Sequence, residues 1–142
     1  MKLVQSLALL TGASFTILPA LANFHISQRI NLVERLLNGR MVACPSNDYT
    51  CDCLTGGNGA ADVVVNGQTV ENLPDSFFSV NAGLCGSSQL NFYHVGGGIW
   101  DFYQNDGDGS LQGTCYPNSA SSNCHAYAIH DKLVCYSNIC GS

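Results

Sequence analysis

The sequence predicts an α+β domain that is mostly antiparallel β-sheet, a meander or sandwich, with one N-terminal amphipathic helix and disulfides to stabilise it. Three observations carry that prediction. One apolar stripe at helical spacing lies near residue 30; alternating or β-branched runs broken by turn residues fill the chain from residue 42 onward; and eight cysteines occur in 142 residues.

The chain begins Met1-Lys2, continues as an apolar run and reaches Ala20-Leu21-Ala22. A basic start, an apolar middle and a small-x-small end mark a secretory signal peptide, with cleavage expected after Ala22. Gln5, Ser6, Thr11, Gly12, Ser14, Thr16 and Pro19 dilute the run, and no basic flank follows, so a membrane anchor is the weaker reading. The expected organisation is a signal peptide, residues 1–22, and a single secreted disulfide-rich domain, residues 23–142.

Within "ISQRINLVERLLN", residues 26–38, the apolar Ile26, Ile30, Val33 and Leu37 recur at steps of four, three and four. That spacing predicts a helix with Ser27 or Asn23 as its cap and Gly39 just past its end, its stripe laid against a sheet. Arg29, Glu34 and Arg35 take its solvated side.

The β texture follows. In "DVVVNGQTV", β-branched residues flank Asn66-Gly67, the strongest short hairpin signal. "QLNFYHV" and "GIWDFYQ" are joined by Gly96-Gly97-Gly98, and the second turns through "NDGDGS" into "LQGTCY", which predicts an antiparallel meander. Leu90, Phe92 and His94 share one face of its first strand, and Trp100 and Phe102 one face of its second. "HAYAIHDKLVCYSNICGS" supplies one or two more strands.

All eight cysteines, Cys44, Cys51, Cys53, Cys85, Cys115, Cys124, Cys135 and Cys140, fall after the expected cleavage point. An even count in a small secreted domain reads as a disulfide framework whose pairing the sequence leaves open. No CxxC pair at finger spacing supports zinc.

The net charge is −5, and −6 once Lys2 leaves with the leader. No basic patch is available for phosphates, which argues against nucleic acid or anionic lipid as partners. No second stretch is long enough to span a membrane, and no N-x-S/T sequon occurs.

Three groups of residues could carry chemistry. The acidic turn around Asp106 and Asp108 is a weak calcium candidate, because in the EF-hand pattern glycine and the last carboxylate would fall at the wrong positions. His94, His125 and His130 could pair with Asp101, Glu71 or Asp131 for acid-base hydrolysis, although no nucleophile motif accompanies them. Tyr93 and Tyr103 lie out of phase with the apolar face and beside Asp101, as in sugar- or protein-binding platforms.

"YTCDCLTGGNG", residues 49–59, resembles the calcium loop of secreted phospholipase A2 enzymes through Tyr49, Cys51, Cys53, Gly56, Gly57 and Gly59. His130-Asp131 ahead of "KLVCY" is similar to that family's histidine-aspartate pair. The resemblance implies calcium held by carbonyls of Asp52, Leu54 and Gly56 with Asp131, and His130 as the base that activates water. The chain departs from the family at Leu54, where glycine is kept, in lacking adjacent cysteines, and in a longer gap after Asp131. An irregular loop pinned by disulfides is the reading preferred for this stretch.

Taken whole, the leader, the acidic cysteine-rich domain and its Gly/Asn/Ser turns resemble the small secreted cysteine-rich proteins of filamentous fungi. That resemblance implies an effector- or toxin-like protein that acts outside the producing cell by binding a host or competitor protein or glycan, without a cofactor. The alternative is a small extracellular hydrolase, phospholipase A2-like or RNase-like. Two features separate them: a pocket joining at least two of His94, His125, His130, Asp101 and Asp131, or an exposed aromatic patch.

Overall fold

The computed structural model describes residues 22–33 and 39–141. Its strands are β1 (Ala22–Asn31), β2 (Arg40–Pro45), β3 (Ala61–Val65), β4 (Gln68–Thr69), β5 (Phe77–Val80), β6 (Leu90–Gly96), β7 (Ile99–Gln104), β8 (Gly113–Pro117), β9 (Ser121–Cys124) and β10 (Tyr127–Ser137). Strands β1, β2, β3, β5, β6, β7, β8 and β10 pair in that order, and β10 returns to pair with β1. The result is an eight-stranded, closed antiparallel barrel, with 52% of the described residues in strands. β4 and β9 are short additions on β3 and β10.

This corrects the α+β expectation, which was wrong in its helix. Residues 26–31 belong to β1, with a strand paired on each side; residues 34–38, including Leu37, lie outside those described. The physical reason is degeneracy: Ile26 and Ile30, four apart, fit one turn of helix and also two repeats of a strand. Phe24 and Ile26 point into the barrel, while His25 and Ser27 between them point out to a polar network, a period of two that cross-strand pairing then fixes. Among the described residues, the one α-helical turn is α1 (Cys51–Leu54).

The hairpins form where the turn residues predict. Asn66 and Gly67 have φ of 51° and 79° between β3 and β4, and Gly96, Gly97 and Gly98 all take positive φ between β6 and β7. The meander β6-β7-β8 is present, but its strands are staves of the barrel, which leaves it no open edge.

The interior is aromatic. Phe24, Phe78, Phe92, Phe102 and Trp100 pack with Ile26, Met41, Leu90 and Leu133, and Phe92 stacks against both Phe78 and Phe102. Each fully buried side chain of this size contributes about 1.5–3 kcal/mol. The Cys115–Cys135 bridge joins register partners of β8 and β10 within this core.

A second, smaller core lies outside the barrel wall. Val42, Cys44 and Ile129 face outward from β2 and β10 and are covered by Cys53, Leu54, Tyr49 and Ala60 of the segment 46–60. Two bridges fix that cover, Cys44–Cys53 and Cys51–Cys124, while Cys85–Cys140 ties the chain's last turn to the loop before β6. Every residue of β2 after Arg40 is therefore buried, because both of its faces are covered.

One extra residue makes β10 serve both cores. Ile26 pairs with Leu133 but Ser27 pairs with Asp131, so Lys132 is a bulge. Odd-numbered residues from Ile129 onward are buried along the strand, yet Leu133 and Cys135 face the barrel interior whereas Ile129 and Asp131 face the covered outer side. The bulge turns Asp131 out of the apolar core and into a polar one.

Candidate functional site

Asp131 is almost wholly buried and accepts hydrogen bonds from three side chains: His25 Nδ1 at 2.7 Å, Asn118 Nδ2 at 2.8 Å and Ser27 Oγ at 3.2 Å. A carboxylate only accepts, so the proton of His25 sits on Nδ1. Ser27 spends its one proton on Asp131, so the Tyr49 hydroxyl donates to Ser27 Oγ, at 2.8 Å. The Tyr49 ring lies 4.5 Å from the His25 ring, and burial raises its phenol above the ordinary range, more than the Ser27 bond lowers it.

Chemically, this cluster is an anchor. Its partners come from four parts of the chain: His25 and Ser27 from β1, Asp131 from β10, Tyr49 from the covering segment and Asn118 from the loop after β8. Ser27 is fully buried, which removes it as a nucleophile. Sequence reasoning missed His25, Ser27 and Asn118 as partners of Asp131, since His25 and Asp131 are 106 residues apart and the first lay just ahead of the expected helix, residues 26–38.

None of the other histidines is hydrogen-bonded to that carboxylate or to another histidine among the described residues. His94 is exposed at the barrel rim, where its Nε2 accepts from Gly98 N at 3.2 Å and its ring lies against Trp100. His125 is exposed in a turn with φ of 55°, and His130 shares a 3.2 Å hydrogen bond with Ser121. Glu71 is also exposed; its backbone carbonyl accepts from Gln28.

The stretch at 49–59 is pinned rather than open. Thr50 caps α1 through Cys53 N, Gly57 N donates to the Asp52 carbonyl at 2.7 Å, and Asn58 N donates to the Asp52 side chain. The Asp52 carbonyl that a calcium loop would offer is occupied inside the turn, and Asp131 is committed to His25, Ser27 and Asn118. Asp106 accepts from Ser88 Oγ at 2.7 Å. Asp108 accepts from Ser110, whose hydrogen bonds hold its carboxyl below the usual range. Among the described residues no three His, Cys, Asp or Glu side chains converge as a metal site.

No described segment covers the outer wall formed by β5, β6, β7 and β8, and its register builds a row. Phe77 pairs with Tyr93, Tyr93 with Asp101, Asp101 with Thr114 and Thr114 with Tyr136. Successive outward residues of five strands thus line up across the barrel. At the centre Thr114 Oγ1 donates to Asp101 at 2.8 Å. On one side Phe77, Tyr93 and Tyr103 are in ring contact, at 5.2 and 5.9 Å; on the other Tyr116 and Tyr136 meet at 5.8 Å. Tyr93, Tyr116 and Tyr136 are 45%, 45% and 39% exposed, and with Tyr103 they place four of the six tyrosines on this face.

Two residues further along the strands the face becomes a groove of amides. Ser79 pairs with Asn91 and Asn91 with Tyr103, and beyond them stand Asn81, Gln89 and Asn105. Asn91 Oδ1 accepts from Ser79 Oγ at 2.8 Å and Gln89 Nε2 at 2.9 Å, while Asn91 Nδ2 donates to Asn105 Oδ1 at 2.9 Å.

Comparison with protein-family models, curated proteins and solved structures finds no match for this chain. Its four disulfides suit an extracellular or otherwise oxidising environment, and none of its described helices is long and apolar enough to cross a membrane.

Proposed function

We propose that this protein is a secreted, disulfide-hardened interaction module, effector- or toxin-like, that binds a protein or glycan of a host or competitor outside the producing cell. The observation that carries the proposal is the uncovered row from Phe77 to Tyr136 with its flanking tyrosines. Tyrosine presents a large, stiff, amphipathic surface at small entropic cost, the chemistry that binding faces favour. The fungal origin rests on the resemblance of composition alone. The hydrolase alternative has less behind it, since none of His94, His125, His130, Asp101 and Asp131 is hydrogen-bonded to another of the set.

The experiment is retention of cell-wall and extracellular-protein extracts on immobilised residues 23–142, beside a Tyr93→Ala/Tyr116→Ala double variant. Material held by the parent and lost from the variant supports the reading. Equal retention by both defeats it. Calcium-dependent release of fatty acid from phospholipid vesicles, absent in His130→Ala, would restore the hydrolase.

A further inference from the structure

We propose that the amide groove next to the aromatic row is a subsite for the end of a neutral sugar chain. This rests on the open face being a binding surface and adds the class of ligand. The groove, about 230 Å³, is lined by Phe77, Ser79, Asn81, Gln89, Asn91 and Asn105 among others, and none of its lining residues is charged. That volume lies below the range of drug-sized pockets and suits one small ring.

Its polar groups are held in place before any ligand arrives. Asn91 uses its amide to lock Ser79, Gln89 and Asn105 into one network. Gln89 Oε1 and Asn105 Nδ2 have no hydrogen-bond partner among the described residues. An acceptor and a donor are thus left facing out. Sugar hydroxyls donate and accept at once, so neighbouring hydroxyls match such a pair, and a preordered network loses little entropy on binding.

The adjoining aromatic rings supply the other half of the chemistry. The groove row and the row holding Phe77 and Tyr93 are two residues apart along the strands, about 6–7 Å. That spacing is on the scale of one pyranose unit. A ring seated among the amides beside Tyr103, the register partner of Asn91, would therefore pass its neighbour over the exposed Tyr93 of the adjoining row.

Charge selects for neutrality. β5, β6, β7 and β8 contain no Lys or Arg, Asp101 stands in the middle of the row, and the whole chain is acidic. An anionic glycan would meet repulsion without a countercharge. A peptide would need an apolar anchor pocket, and the groove is lined mostly by polar side chains, with Val64 and Phe77 its apolar members.

The test is titration of ¹⁵N-labelled residues 23–142 with neutral oligosaccharides of glucose, N-acetylglucosamine, xylose and mannose, and with acidic oligogalacturonate. The expected result is saturable shifts of the Asn91, Asn105 and Gln89 side-chain amides with one neutral set. Affinity falls about tenfold or more in Asn105→Ala, an exposed position that leaves the fold intact, and in Asn91→Ala. Preference for oligogalacturonate, or no saturable shift with any neutral set at about 10 mM, overturns the proposal. Neutral-sugar binding that needs Tyr93 but neither asparagine removes the subsite and keeps the open face. Binding indifferent to Tyr93, Asn91 and Asn105 overturns both.

Discussion

The barrel has two outer faces built from the same kind of strand and treated in opposite ways. Over β1, β2 and β10, the segment 46–60 is fastened down by two disulfides and by Tyr49, and the outward residues form a second core. Over β5 to β8 no described segment is fastened, and the outward residues are mainly tyrosines and amides, with Phe77, Ser79, Thr114 and one aspartate in register among them. A tyrosine in the first setting is part of the fold, and a tyrosine in the second is available to a partner. The difference teaches that aromatic content by itself does not locate function in a small stapled domain; cover does.

Removing the cover should have the largest effect. Cys51→Ala with Cys124→Ala opens a link of sequence separation 73 and is expected to lower stability by about 2–5 kcal/mol, read by denaturant unfolding of the oxidised protein. An unchanged midpoint would mean that the covered face does not depend on its staple. Next comes Asp131→Ala, which leaves His25, Ser27 and Asn118 without their common acceptor and should cost about 2–3 kcal/mol by the same measurement.

Tyr49→Phe should cost about 1 kcal/mol and change the alkaline limb of stability. Burial raises the Tyr49 phenol, so the folded state holds its proton after the unfolded chain has released it. The stability from that buried neutral phenol is complete below the ordinary tyrosine range and is lost as pH rises through the folded value. The variant should therefore lose less stability between pH 9 and 12 than the parent; parallel curves would contradict the assignment. Smallest of all, Tyr93→Ala and Tyr116→Ala on the open face should each shift stability by no more than about 0.5 kcal/mol while removing binding. A large loss of stability there would erase the contrast between the faces.

What the sequence made legible was local. Asn66-Gly67 and Gly96-Gly97-Gly98 turn where positive φ is needed, the meander residues alternate with its strands, and the cysteines pair throughout. Tyr93 and Asp101, singled out from phase alone, are direct register partners. What was hidden was non-local or degenerate. The four-residue spacing of Ile26 and Ile30 fits helix and strand alike, and only pairing with β2 and β10 decides it. The bulge at Lys132 inverts the meaning of alternation along β10, so no periodic reading could place Asp131 outside and Leu133 inside. His25 meets Asp131 only because the first and last long strands meet.

That same meeting sets the order of events at birth. β1 closes the barrel against β10, pairing Ala22 through Asn31 with residues from Tyr136 back to Tyr127, and Asn23 locks the final turn through Ser137, Cys140 N and the Gly141 carbonyl. A chain emerging from its amino end can pair its first strand with β2 early, but the other edge of that strand stays open until β10 has been made. Cys51 and Cys85 likewise wait for Cys124 and Cys140. Closure of the barrel is therefore the most non-local step of its folding, and it waits for β10 whatever forms earlier.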